Sequence, residues 1–160
     1  MPIVEDPNIE ALQLRETARQ AAYALKQSHP RVIFTSGRRD KARQCHAMAE
    51  NVAQPQHRNY IRNTYAPNVA SAACQQWVDA HPEAITVDQI AAGLLGVLDG
   101  LSDNDVAHLS RHLSGDAFDV QPVLPDVDGI MVTIRNLPGV RFLEREDGLE
   151  RWHAEFINAT

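Results

Sequence analysis

Apolar positions recur at helical spacing from Ile9 to Gln27, where Leu12, Leu14, Ala18, Ala21, Ala22 and Leu25 form one stripe before Pro30 closes the pattern. One packed amphipathic helix is expected there. The run RVIFTSG that follows is β-branched and aromatic and closes on a glycine, so it predicts a strand emptying into a turn. RRDKARQCHAMAENVA then reads as helix. Between residues 68 and 99 the spacing predicts two more helices. NVASAACQQWVDA opens on Asn68 as a cap, and TVDQIAAGLLGVLDG opens on Thr86 and ends at Gly100.

The pattern changes after residue 110. AFDVQ, GVRFLERE and RWHAEFI alternate as strands do, and the Asp147-Gly148 pair between the last two is a hairpin signal. DVDGIMVTIRNLP fits both periods. It is read as a helix because it would cross between two strands. The expected class is α+β, with a small, mainly antiparallel sheet and flanking helices.

A chain of 160 residues, 44% hydrophobic, fits one domain with a real core and leaves little room for a second. A single domain over residues 1–160 is therefore expected. The formal net charge is -6, and no stretch clusters Lys and Arg with aromatics, which argues against nucleic acid as a partner. The acidic start MPIVEDPNIEAL lacks the basic region of a signal peptide. No apolar run approaches the roughly 20 residues that span a bilayer. Synthesis in the cytoplasm without stable membrane insertion is the expectation. Cys45 and Cys74 are too few and too far apart for a zinc knuckle or a disulfide framework, and they read as buried small hydrophobes, a bond between them being the alternative in an oxidising compartment.

Candidate chemistry lies in the alternating segments. In AFDVQ, Ala117, Asp119 and Gln121 share one face while Phe118 and Val120 share the other. In RWHAEFI, His153 and Glu155 oppose Trp152, Ala154 and Phe156. Both strands thus put their metal-capable groups on the polar side. Gly115 allows a sharp turn that folds His112 back toward Asp119. Zinc takes His, Cys and carboxylate ligands at about 2.0 to 2.3 Å, and a catalytic site leaves one position open. Glu150, three residues before His153, would face the other way in a continuous strand, so it joins the set only from the turn at Asp147-Gly148. His108 and His112 have the spacing of zincin ligands, but Leu109 stands where that motif requires Glu. His29, His46, His57 and His81 read as solvated, and Trp77 and Trp152 as core.

Ser110, His112, Gly115, Ala117 and Asp119 fit Ser-x-His-x-x-Gly-x-Ala-x-Asp position for position. Together with ERWHAEF, they make the chain resemble the zinc peptidases of the D-Ala-D-Ala carboxypeptidase and dipeptidase family, which includes the L-alanyl-D-glutamate endopeptidases of phage endolysins. The resemblance runs from about Thr35 to the C-terminus. It implies a hedgehog and DD-peptidase-like fold, with His112, Asp119 and His153 holding one zinc ion and Glu150 as general base. Ser36, Gly37 and Arg39 match the family's Ser-Gly-aromatic-Arg turn. Arg38 replaces the aromatic, so either arginine is a candidate to face inward, with Arg39 at the matching position. Ser110 and Glu155 are candidates to orient the ligands.

The implied activity is hydrolysis of the peptide stems of bacterial peptidoglycan by an endolysin-like L-alanyl-D-glutamate endopeptidase. D-alanyl-D-alanine carboxypeptidase or dipeptidase activity is the alternative, and Glu155, where such members often carry a second histidine, tilts against it. A zinc-stabilised binding module without catalysis is a third reading, and the candidate base Glu150 argues against it. Reaching the wall without a signal peptide calls for a holin, as phage lysins use, or for a secretion system. The catalytic domain would then find its substrate without a wall-binding module.

Overall fold

The computed structural model describes residues 4–122, 126–146 and 149–156, with backbone alone at 144–146 and 149–151. The elements in chain order are α1 (Pro7–Glu10), α2 (Glu16–Ser28), β1 (Phe34–Ser36), α3 (Lys41–Val52), α4 (Tyr60–Thr64) and α5 (Val69–Ala80). They continue with α6 (Val87–Asp99), α7 (Asp103–Ala107), β2 (Ala117–Val120), α8 (Val127–Arg135), β3 (Val140–Glu146) and β4 (Leu149–Phe156). The chain forms two compact units, Met1–Arg38 with Ser114–Thr160 and Arg39–Leu113. Each has its own apolar core.

The first unit contains an antiparallel sheet in the order β1-β2-β4-β3. The α+β class expected from the alternating segments is therefore present. Phe118 and Val120 of β2 and Trp152, Ala154 and Phe156 of β4 point to one face and are buried with Ala18, Ala22 and Leu25 of α2 and Ile130 and Ile134 of α8. Phe118 stands edge-on to Phe34 at 5.2 Å and lies 5.5 Å from Phe156. Burying each of these large side chains contributes about 1.5 to 3 kcal/mol, which fixes the phase of both strands. With the apolar residues inward, the alternate positions must face the other side.

One helix was expected from Ile9 to Gln27, but the chain breaks between α1 and α2. Gln13 takes a left-handed φ of 53°. The amide of Arg15 donates to the carbonyl of Gly115, and the amide of Arg38 donates to the carbonyl of Leu12. Backbone groups that a continuous helix would consume are spent on distant turns, which no local periodicity reveals. Gly37 permits this approach, since a Cβ there would lie 2.6 Å from the Leu12 carbonyl oxygen.

The second unit is helical. Asp40, Asn68 and Thr86 cap α3, α5 and α6 by accepting from backbone amides of the first turn. Asn68 and Thr86 complete capping boxes with Ser71 and Gln89. The apolar stripes of α3, α5 and α6 meet in a core that holds Met48, Val52, Val78, Ile90, Leu94 and Leu98. Cys45 and Cys74 are free thiols within it, as the reading of buried hydrophobes expected. Burial raises both to a pKa of about 12. Trp77 packs against this core and stacks on His81 at 4.2 Å. Among the described residues, no helix is long and apolar enough to cross a membrane.

Candidate metal centre

The polar face of the sheet is built by register. β2 and β4 pair without interruption, which sets Asp119 opposite His153 and Ala117 opposite Glu155. Directly opposed residues share a face, so Asp119, His153 and Glu155 converge on the side away from the core. His153 Nδ1 lies 2.9 Å from Asp119 Oδ1, and His153 Nε2 lies 3.0 Å from Glu155 Oε1. Arg141, opposite Glu155 on β3, approaches its other oxygen at 3.7 Å.

β1 adds a third member by an irregularity. Phe34 pairs with Val120 and Ser36 with Asp119, so two steps along β1 match one step along β2. In a regular strand Phe34 and Ser36 would share a face; the surplus residue, Thr35, sends Phe34 to the core and Ser36 to the polar side. There Ser36 Oγ donates to Asp119 Oδ2 at 2.5 Å. Asp119 is therefore held through both oxygens, by Ser36 and by His153.

Asp119 and His153 thus stand side by side within the first unit, and His112 belongs to the second unit, next to its last residue, Leu113. His112 and His153 are buried and Asp119 is half-buried. Imidazole and carboxylate, the groups these residues carry, are ligands that zinc accepts. The nitrogen of His153 on the Asp119 side is Nδ1. A cation taken there would displace the Nδ1 proton and leave Nε2–H on Glu155, the arrangement in which an outer carboxylate fixes a ligand ring. Glu155 thus stands where an orienting group is expected.

His112 is reached by a tight turn. Its amide donates to Ser110 Oγ at 3.2 Å, and the amide of Leu113 donates to the Ser110 carbonyl. Ser110 shapes the turn rather than the imidazole itself. Gly115 follows with a φ of 84°, and a Cβ there would meet the Arg38 guanidinium at 2.8 Å. Both the dihedral and the space require glycine. His108 is exposed beyond the end of α7 with Nδ1 on the Asn104 carbonyl, so it does not share a helix with His112.

The two arginines differ in setting. Arg38 is exposed, and its guanidinium donates to the Ser114 carbonyl at 3.0 Å. Arg39 is half-buried. Its amide donates to the His112 carbonyl at 2.9 Å, and its Nη1 donates to Gln44 Oε1 at 3.2 Å.

Glu150 lies in β4, not in the turn. Leu143 pairs with His153 and Arg145 with Glu150, so three steps along β4 match two along β3. The surplus residue returns position 150 to the phase of position 153. The Glu150 side chain and the Asp147-Gly148 turn lie outside the described residues.

No family model, curated protein or solved structure matches this chain.

Several residues were read differently from sequence. His29 and His81 are half-buried rather than solvated. His29 Nε2 lies 2.8 Å from Thr133 Oγ1, and His81 Nδ1 lies 2.8 Å from the Trp77 carbonyl. Gln44, fully buried, went unnoticed because a lone glutamine in an amphipathic helix carries no spacing signal. Trp152 is core, as expected. In the second unit a cavity of about 380 Å³ opens beside α5, with Arg62, Tyr65, Gln75 and Asp79 among its lining residues.

Proposed function

We propose that this chain is a zinc-dependent peptidase that hydrolyses the peptide stems of bacterial peptidoglycan, acting as an L-alanyl-D-glutamate endopeptidase. The observation that carries the reading is the strand register that sets Asp119 opposite His153, with their side chains 2.9 Å apart and Ser36 and Glu155 engaging their other sides. Asp119 and His153 belong to the two motifs on which the family resemblance rests. The fit of the donor set is supported by Ser36 and Glu155, which engage Asp119 and His153 as orienting groups do.

Zinc, when bound, supplies a Lewis acid that acidifies water and polarises a carbonyl. As the family resemblance implies, His112, Asp119 and His153 would hold the ion. Glu150 takes the proton from the attacking water and passes it to the leaving amine, a role that typically contributes about 10² to 10⁴-fold. Arg39 faces the negative charge that builds on the carbonyl oxygen, or holds a substrate carboxylate. In a chain of net charge -6 it gives an anionic substrate a local positive contact. The enzyme acts on the wall after release from the cytoplasm through a holin or a secretion system.

The test is digestion of purified peptidoglycan with and without a chelator, with the new termini identified by mass spectrometry. New D-Glu amino termini that vanish with chelator establish the endopeptidase. Released D-Ala would reassign the bond to the carboxypeptidase alternative. Absence of any chelator-sensitive product would overturn the peptidase reading. Glu150→Gln is expected to retain zinc and lose turnover by about 10² to 10⁴-fold. Unchanged turnover would remove Glu150 from the chemistry.

A further inference from the structure

Gln44 is a polar residue with no exposure, placed in the first turns of α3 among core residues Cys45 and Met48. Buried amides are rare unless every polar atom is met. Here both ends are engaged, and the partners fix which end is which. Arg39 Nη1 can only donate, so it takes Oε1, at 3.2 Å. Nε2 then donates to the Tyr65 hydroxyl at 2.9 Å. Tyr65 is itself braced edge-on against the buried Tyr60 at 6.2 Å.

The other end of this chain of contacts is a candidate ligand. The amide of Arg39 donates to the carbonyl of His112, so Arg39 is tied to the His112 turn by its backbone and to Gln44 by its guanidinium. Asp40, next in sequence, caps α3 by accepting from the Arg43 amide at 2.8 Å. The backbone at Arg39 is thereby anchored on both sides, and Gln44 Oε1 is one partner of its long side chain. A flexible arginine gives up substantial rotamer entropy whenever it is held, and a buried, braced partner meets that cost before substrate arrives.

We propose that Gln44 is a positioning residue that holds the Arg39 guanidinium in place, with Tyr65 locking the amide in the orientation that presents Oε1 to Arg39. The proposal rests on the peptidase reading for the role it gives Arg39, and on the hydrogen-bond chain for the coupling. Gln44 touches no reacting atom. Its effect is on the orientation of Arg39, and through it on turnover.

The test uses the full chain and the variants Gln44→Leu, Gln44→Glu and Tyr65→Phe. For each, phenylglyoxal labelling of Arg39 is followed by peptide mass spectrometry, with exposed Arg43 as the internal reference. Zinc affinity, thermal midpoint and the kcat and KM for peptidoglycan fragments are measured alongside. Gln44→Leu is expected to lower kcat by about tenfold, the loss of one hydrogen bond to a charged group, with zinc affinity unchanged and Arg39 labelling faster relative to Arg43. Gln44→Glu keeps an acceptor for Arg39 and is expected to restore slow labelling and most of kcat. Tyr65→Phe should fall between them. If Gln44→Leu does not fold, the contrast between Gln44→Glu and Tyr65→Phe decides the same question. Wild-type labelling and kcat in folded Gln44→Leu would overturn the proposal, as would losses that track the thermal midpoint alone. If wild-type protein yields no chelator-sensitive product, the peptidase reading fails, while Arg39 labelling still decides whether Gln44 holds Arg39.

Discussion

Glu155 occupies the Nε2 side of the His153 ring at 3.0 Å, two residues along the same strand, while Asp119 occupies the Nδ1 side from the neighbouring strand. The ring is thus oriented by one carboxylate and turned toward another. Glu155→Ala removes the orienting group and leaves the candidate ligands. Zinc affinity is expected to fall by about 10 to 100-fold, measured by competition with a chromophoric chelator. Affinity equal to that of the unaltered chain would show that Glu155 does not tune the ring.

Ser36→Ala takes away the hydroxyl that donates to Asp119 Oδ2. The carboxylate loses the partner of one oxygen while His153 keeps the other, so zinc affinity is expected to drop within the same about 10 to 100-fold range. The thermal midpoint measured in excess zinc should fall further than that of the metal-stripped protein, because binding to the native state adds stability that grows with the logarithm of affinity. Equal shifts with and without zinc would reduce Ser36 to an ordinary strand residue.

Gly115→Ala places a Cβ at a left-handed φ and against the Arg38 guanidinium. Holding a non-glycine residue there costs about 1 to 3 kcal/mol. Chemical denaturation should report that loss. Because Gly115 lies between His112 and Asp119, zinc affinity should fall with it. A stability unchanged within measurement would mean that the turn has another conformation available.

Burial raises both Cys45 and Cys74 from an ordinary thiol value of 9.0 to about 12, with burial the largest cause in each case. The raised values keep the thiols neutral in the folded chain and unreactive, since the thiolate is the nucleophile. Their contribution to stability is complete below pH 9.0 and is lost as pH climbs toward about 12, because the unfolded chain ionises first. A thiol-specific disulfide reagent at pH 8 should therefore label neither cysteine until denaturant is added. Rapid labelling of native protein would contradict the core placement.

The helices of the second unit were legible because their caps and apolar stripes are local signals, as at Asn68 and Thr86. The faces of β2 and β4 were legible for a similar reason: Phe118 and Val120 on one side leave Asp119 only the other. The break after α1 was not, because the partners of Leu12 and Arg15 are at Arg38 and Gly115. Ser36 could be found from its motif, but its bond to Asp119 depends on a surplus residue that alternation does not encode. For Glu150 the same alternation pointed to a turn, whereas the backbone holds it in β4 with an irregularity before His153.

Those two surplus residues make parity a poor guide to this sheet. Phe34 and Ser36 are an even number apart and face opposite ways, and positions 150 and 153 are an odd number apart and keep the same phase. A consequence runs against intuition: deleting Thr35 from the middle of β1 would leave Phe34 and Ser36 on the faces they already occupy. Related chains are therefore free to gain or lose a residue at that point while keeping the serine beside the aspartate, and an alignment that forbids gaps inside strands would overlook them.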